Sequence, residues 1–436
     1  MLTAAGAADI STQNTVASTT LPLELVSLIL DYIPEDMKWS DTLYNCALVS
    51  SAWRQLSQAH LFSTASLSTT AVCKAWNDKL DEFPHLALYV TTLSLWGGDV
   101  LLPRFPNIRN LILEEFSIWG DTEQALISQF HQVEKLHVDV RFSEPEQLLA
   151  LTAGMRRVRD LFVGDLGFCR WNVTENDKPQ MERMYEVGTF LESWNPHDVT
   201  PICLEKLKLS GLQNQTDLLM WFSSPSFDLS RLQVLTLDWR AGTIRTDTGT
   251  LSQFVSTVGR FVRHLFLFSD GVHSDLFPDT LASTRLLNKF ISLETIAIAD
   301  TSYSRDSWQY SLGLILAKKL LSTAPPTLKE VHIGMYIVFD GDHTLSDLGQ
   351  LAEWSLLDQL LTGPKFSGLR YFNLHVKIHA PHGALEMEGR SLKQTKQAVF
   401  ALIEDLLPIT SSRRLLKLSV RERSLQEVIQ DACLNA

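Results

Sequence analysis

From Leu88 onward the chain repeats one short pattern: an apolar residue, two variable residues, then two apolar residues separated by one. It reads Val90-x-x-Leu93-x-Leu95, Ile108-x-x-Leu111-x-Leu113, Val133-x-x-Leu136-x-Val138 and Val158-x-x-Leu161-x-Val163. It continues as Leu204-x-x-Leu207-x-Leu209, Leu232-x-x-Leu235-x-Leu237, Val262-x-x-Leu265-x-Leu267 and Leu293-x-x-Ile296-x-Ile298. Leu328-x-x-Val331-x-Ile333 and Leu369-x-x-Phe372-x-Leu374 follow, with a fainter copy ending Leu416-x-Leu418. Period-two alternation inside each copy predicts a strand with one buried face. The segments between, among them 122–130, 251–261 and 345–361, read as amphipathic helices or turns. A strand and a returning segment, repeated, stack into a solenoid with a parallel sheet on its concave side, so the predicted fold class is α/β. Copies recur at intervals of about 18 to about 46 residues, against roughly 20–29 in regular strand-bearing repeats, which predicts uneven curvature. The widest gap, from Val163 to Leu204, holds a predicted extra helix over 179–194 whose stripe of Met184, Val187, Leu191 and Trp194 packs on the solenoid or serves a partner. Residues 425–436 read as a capping helix that shields the last repeat's open edge.

The stretch Leu21 to Phe62 has a different rhythm and predicts three short helices. Pro22 suits the first helical position and Glu24 the first turn, after which Leu25, Leu28, Ile29, Tyr32 and Ile33 follow at helical spacing. Ser40 or Asp41 is placed to cap a second helix carrying Leu43, Tyr44, Ala47 and Leu48. Ser50 is placed to cap a third, carrying Trp53, Leu56 and Ala59. So short a unit cannot bury that many large apolar side chains by itself. Either a partner or the downstream domain must cover the remainder.

The residues Leu21-Pro22-x-Glu24-Leu25, Ile29-Leu30, Ile33-Pro34, Cys46-Ala47-Leu48-Val49-Ser50, Trp53-Arg54-x-Leu56 and Leu61-Phe62 together resemble an F-box, in the style of F-box proteins of mushroom-forming (basidiomycete) fungi. The resemblance implies docking on a Skp1-like adaptor, and through it membership of an SCF-type cullin-RING ubiquitin ligase. It implies Skp1 contact by Leu21, Pro22, Leu25, Leu28, Ile29, Ile33, Pro34, Leu48, Val49, Trp53 and Leu56. One departure from the family is a longer link between the first two helices, over 35–42. The repeated strand pattern resembles the leucine-rich repeat, a common companion of an F-box. Here the family's Asn after the strand is missing, with Phe116 and Leu212 in its place, so no continuous asparagine ladder is expected.

Charge and cysteine usage narrow the function classes. The formal net charge of −12 argues against a nucleic-acid partner, and the clusters Arg156-Arg157-x-Arg159 and Arg413-Arg414 read as solvated helix or turn ends. Five cysteines without a CxxC pair read as reduced thiols of a cytoplasmic or nuclear protein. No apolar run approaches the roughly 18 residues needed to cross a bilayer. Residues 1–20, rich in Ala, Ser and Thr, read as a disordered leader rather than a signal peptide.

No nucleophile elbow, Walker loop, dinucleotide fingerprint or HExxH motif is present, so catalytic residues and cofactors are both read as none. His375, His379 and His382 with Glu386 and Glu388 come nearest to a metal set, but Pro381 breaks the spacing, and the metal reading is also none. Binding is then the expected function. Residues alternating with the buried pair face the concave surface and select Trp96, Lys135, Phe162, Lys208, Glu330, His332 and Tyr371 as candidate substrate contacts. Phe266 and Phe268 share that face but lie in a wholly apolar run and are expected to be covered.

The expected organisation is a leader over 1–20, an F-box over 21–65, a linker or cap helix over 66–87, the irregular leucine-rich-repeat-like solenoid over 88–424 and a capping helix over 425–436. The expected function is a non-catalytic substrate receptor. The alternative is a repeat scaffold acting outside a ubiquitin ligase.

Overall fold

The L-x-L pairs stack in register across one parallel sheet. In the computed structural model the described residues are 21–33, 39–96, 102–118, 128–142, 145–164, 167–168, 200–210, 215–239, 248–269, 285–300, 312–338, 354–379 and 392–421. The strands are β1 Thr64–Leu67, β2 Thr92–Trp96, β3 Asn110–Ile118, β4 Lys135–Phe142, β5 Asp160–Val163, β6 Gly167–Phe168, β7 Ile202–Cys203, β8 Lys206–Ser210, β9 Phe227–Asp228, β10 Val234–Trp239, β11 His264–Ser269, β12 Thr295–Asp300, β13 Glu330–Val338, β14 Tyr371–His379 and β15 Leu416–Arg421. The main sheet runs β1-β2-β3-β4-β5-β8-β10-β11-β12-β13-β14-β15, in chain order, with β6 pairing β4 off that line and β7 pairing β9 separately. All its pairings are parallel. Chain order with parallel pairing means that every connection crosses back over the sheet.

Helices α1 Leu23–Asp31, α2 Trp39–Ala47 and α3 Ser51–Leu61 come first, then α4 Thr70–Glu82, α5 Pro145–Gly154, α6 Gln215–Phe222, α7 Thr248–Val258, α8 Leu312–Thr323, α9 Trp354–Thr362, α10 Leu392–Leu406 and α11 Pro408–Ser412. The L-x-L residues form one continuous core with Leu151 of α5, Phe222 of α6, Phe254 of α7, Leu321 of α8, Leu361 of α9 and Ile403 of α10. The crossovers therefore cover one face of the sheet, which makes the alternation between buried and unburied strand positions necessary.

Two regular devices hold the strand starts. From β1 to β13 of the main sheet, the residue just before a strand accepts two backbone N–H groups from the next copy: Arg109 from Glu134 (2.7 Å) and Lys135 (3.0 Å), Arg263 from Glu294 (2.8 Å) and Thr295 (3.0 Å), Lys329 from Arg370 (2.7 Å) and Tyr371 (3.2 Å). These bonds satisfy backbone groups that lie just ahead of the strands. A tight turn also precedes many strands, with Phe130 accepting from Val133 (3.0 Å), Phe290 from Leu293 (3.0 Å) and Phe366 from Leu369 (2.9 Å). All three phenylalanines are buried in the main core.

Several boundaries differ from expectation. Residues 64–67, divided between the F-box and the linker in the sequence reading, form β1 and pair with β2. That copy reads Phe62-x-x-Ala65-x-Leu67, with a small Ala where the other copies carry a large apolar residue, and its strand buries only Ala65 and Leu67, so the pattern did not register in the sequence. The linker otherwise contains α4, capped by the Thr69 hydroxyl accepting from the Val72 N–H at 3.3 Å. Phe116 lies within β3 rather than after it. Helix α7 ends at Val258, three residues before the expected limit, because the chain turns at Gly259. The leader, Pro34, Leu212, the helix over 179–194 and the C-terminal capping helix lie outside the described residues.

Candidate functional site

The N-terminal helices build a small core of their own. Val26 and Leu30 of α1 and Leu43 of α2 are buried, with Ile33, Trp39, Cys46, Trp53, Leu56 and Leu61 packed partly buried against them. Pro22 is the N-cap rather than the first helical residue, and its carbonyl accepts from Leu25 (3.0 Å) and Val26 (3.1 Å). α2 begins at Trp39, so Ser40 and Asp41 lie inside its first turn rather than at an N-cap. Ser50 caps α3 as expected, its hydroxyl accepting from the Trp53 N–H at 3.3 Å. His60 of α3 also stands 3.4 Å from Asp31 of α1.

Because Val26 and Leu30 face inward, the stripe Leu25, Leu28, Ile29 and Tyr32 faces outward. Leu28 is 51% exposed and Leu48, in the turn after α2, is 66% exposed; Leu21, Pro22, Leu23 and Val49 are exposed with them. The downstream sheet does not cover this face. Of the predicted set, Ile33, Trp53 and Leu56 are partly buried against the triplet's own core. Their large side chains are what so small a unit has available for its interior.

The triplet joins the sheet through aromatic rings. Phe62 meets Trp76 of α4 edge-on at 6.4 Å, and Trp76 meets Phe105 at 5.6 Å. Lys79 lies 5.4 Å over the Phe62 ring. The Ser63 carbonyl accepts from both Thr91 and Thr92 at 2.9 Å, which begins the backbone ladder.

On the side of the sheet opposite the L-x-L core, register brings the candidate contacts into rows. One row reads Ile112, His137, Phe162, Lys208, Thr236, Phe266, Ala297, His332, Asn373 and Lys417. The row at the strand starts includes Lys135, Asp160, Lys206, Glu330 and Tyr371. All seven predicted residues lie on this face, but not as one surface. Phe268, Ala297 and Ala299 form a second small core with Phe266, and Thr236 and Asp238 beside them are buried. The middle three strands thus divide the candidates into a group on β2 to β8 and a group on β13 and β14.

In the first group the His137 and Phe162 rings approach to 3.9 Å at 61°, and Lys208 Nζ lies 4.3 Å from the Phe162 centroid. Burial, followed by the Lys208 charge, pushes the His137 pKa down to about 3. Its Nδ1 stands 3.9 Å from Glu114 while its Nε2 is buried without a hydrogen-bond partner among the described residues. Lys135 is exposed, and Trp96 is exposed with its indole N–H donating to Ser94 at 2.7 Å.

In the second group His332 and His375 stack at 6.0 Å and 7°. His332 stands 3.7 Å from Glu330 and 3.5 Å from Asn373, and His375 Nδ1 meets the Ser419 hydroxyl at 2.7 Å. Burial lowers the His332 pKa against the opposing pull of Glu330. Lys417 lies 3.3 Å over the exposed Tyr371 ring.

No group of three or more His, Cys, Asp or Glu side chains is arranged to hold a metal among the described residues. His375 and His379 share β14, while His382, Glu386 and Glu388 lie outside the described residues. Cys203 meets Asp228 at 3.5 Å, and burial and that carboxylate push its thiol pKa up, the reverse of an activated nucleophile. Among the described residues no helix is long and apolar enough to cross a membrane. No protein-family model matches the chain, and no curated protein matches it.

Proposed function

We propose that the chain is a non-catalytic substrate receptor of an SCF-type cullin-RING ubiquitin ligase. In this reading the helical triplet is an F-box that docks on a Skp1-like adaptor, and the parallel sheet belongs to an irregular leucine-rich-repeat-like solenoid that holds a protein substrate. The supporting observation is the outward apolar stripe Leu25, Leu28, Ile29 and Tyr32, left exposed by a triplet that already has its own interior. Each such side chain covered by a partner contributes roughly 1.5–3 kcal/mol before ordering costs, so four or five suffice for a firm interface. The receptor would act by proximity, raising the effective concentration of substrate lysines beside a ligase-bound ubiquitin carrier.

The test is co-expression with Skp1 followed by size-exclusion chromatography. The intact chain is compared with a Leu25→Ser/Leu28→Ser/Ile29→Ser variant, whose altered side chains are all exposed and whose thermal midpoint should stay unchanged. Co-elution of the intact chain alone supports the reading. An intact chain that runs alone, or a variant that still co-elutes, overturns it.

A further inference from the structure

The residues that carry the backbone ladder also carry charge, and on one stretch the charges do not balance. Where β8 to β14 start, a groove of about 1040 Å³ is lined by Arg231, Arg260, Arg263, Lys329 and Arg370, with Glu205 and Glu294 the carboxylates opposing them among the described residues. The whole chain holds 38 Lys and Arg against 50 Asp and Glu, so five cations against two carboxylates here reverses the overall sign. Both carboxylates are already engaged. Lys329 donates to Glu294 at 2.8 Å and Arg263 stands 4.0 Å from it, while Glu205 stands 3.5 Å from Arg159. Arg260 and Arg370 form no ion pair among the described residues, and both are exposed.

The groove also has an apolar point. Ile291, also in the lining, is 62% exposed. Uncompensated guanidinium groups favour planar carboxylates, which they bind in bidentate fashion, and an exposed Ile among them favours one apolar side chain on the same ligand. A nucleic-acid strand fits less well. The one aromatic ring among the described lining residues, Phe261, is half-buried with the Arg260 guanidinium 4.5 Å from its centroid, so the groove offers no open ring face on which bases would stack.

We infer that this groove is a docking site for an acidic peptide segment of a partner protein, an Asp- and Glu-rich stretch carrying an aliphatic residue that packs on Ile291. The inference goes beyond the adaptor reading and does not rest on it, since the site lies on the sheet's N-terminal edge and binds without any adaptor.

Fluorescence anisotropy on the full chain alone tests it, with a labelled Glu- and Asp-rich peptide containing one Leu as the probe. The expected result is binding that weakens with added salt, and that weakens about tenfold or more in Arg260→Glu/Arg370→Glu, as the loss and reversal of two charge contacts requires. Ile291→Ser should weaken it further, and thermal midpoints should show all variants folded. Three outcomes overturn the inference: equal binding of the same peptide with Gln and Asn replacing its acids, unchanged binding by the double variant, or displacement of the peptide by single-stranded RNA that binds more tightly.

Discussion

Asp358 of α9 accepts the backbone N–H of Thr410 at 2.8 Å and that of Ile409 at 2.9 Å, so a carboxylate from one helix caps the start of another. It also accepts the Thr410 hydroxyl, and it is only 2% exposed. The charge sits at the positive end of α11, beyond which the chain turns into β15. Asp358→Ala should leave these donors unpaired and cost about 2–4 kcal/mol, lowering the urea midpoint. A loss below about 0.5 kcal/mol would mean that water replaces the cap without penalty.

The helical triplet should show a sharp contrast between its two faces. Leu30→Ala removes a buried side chain and should destabilise the triplet by about 2–5 kcal/mol, whereas exposed Leu28→Ala should stay within about 0.5 kcal/mol. Hydrogen exchange of the α3 amides gives the readout, since α3 packs on α1 and faster exchange would report local opening. Equal protection in both variants would contradict the packing described here.

His137 predicts a pH dependence of defined sign. Its folded pKa, near 3, lies below the ordinary value of 6.5, so the unfolded chain takes up a proton that the folded chain refuses. Its contribution is intact above pH 6.5 and is lost as the pH falls towards 3, at up to about 1.4 kcal/mol per pH unit. Denaturation of the native chain and of His137→Gln at pH 7 and pH 5 checks this: the variant should lose less stability between the two. Parallel losses would show that His137 is protonated in the folded chain.

Gly259 should resist substitution for steric reasons. A Cβ there would stand 2.7 Å from the carbonyl oxygens of both Lys289 and Val255, and neither backbone group can move freely. Gly259→Ala should therefore cost about 1–3 kcal/mol, while Gly368→Ala, with open space around it, should cost far less. Thermal melts of the two variants decide the matter.

The sequence by itself determined the strands and their sidedness. Each L-x-L pair had to point the same way because alternation is a property of one extended segment, and the ten clear copies found their partners in register. It also determined the cap at Ser50 and the helical spacing of Leu25, Leu28, Ile29 and Tyr32, both set by residues within a turn or two of each other. Tertiary structure alone decided the rest. β1 exists because β2 offers it an edge, and Trp53 turns inward because α1 and α2 present Val26, Leu30 and Leu43 to it. The division of the sheet's second face follows from the burial of Phe268 beside Ala297 and Ala299, whose small size no single strand reveals as a contact. The basic groove is likewise invisible in any one segment, because Arg263, Lys329 and Arg370 stand tens of residues apart in the chain and meet only when parallel pairing places the starts of their strands side by side.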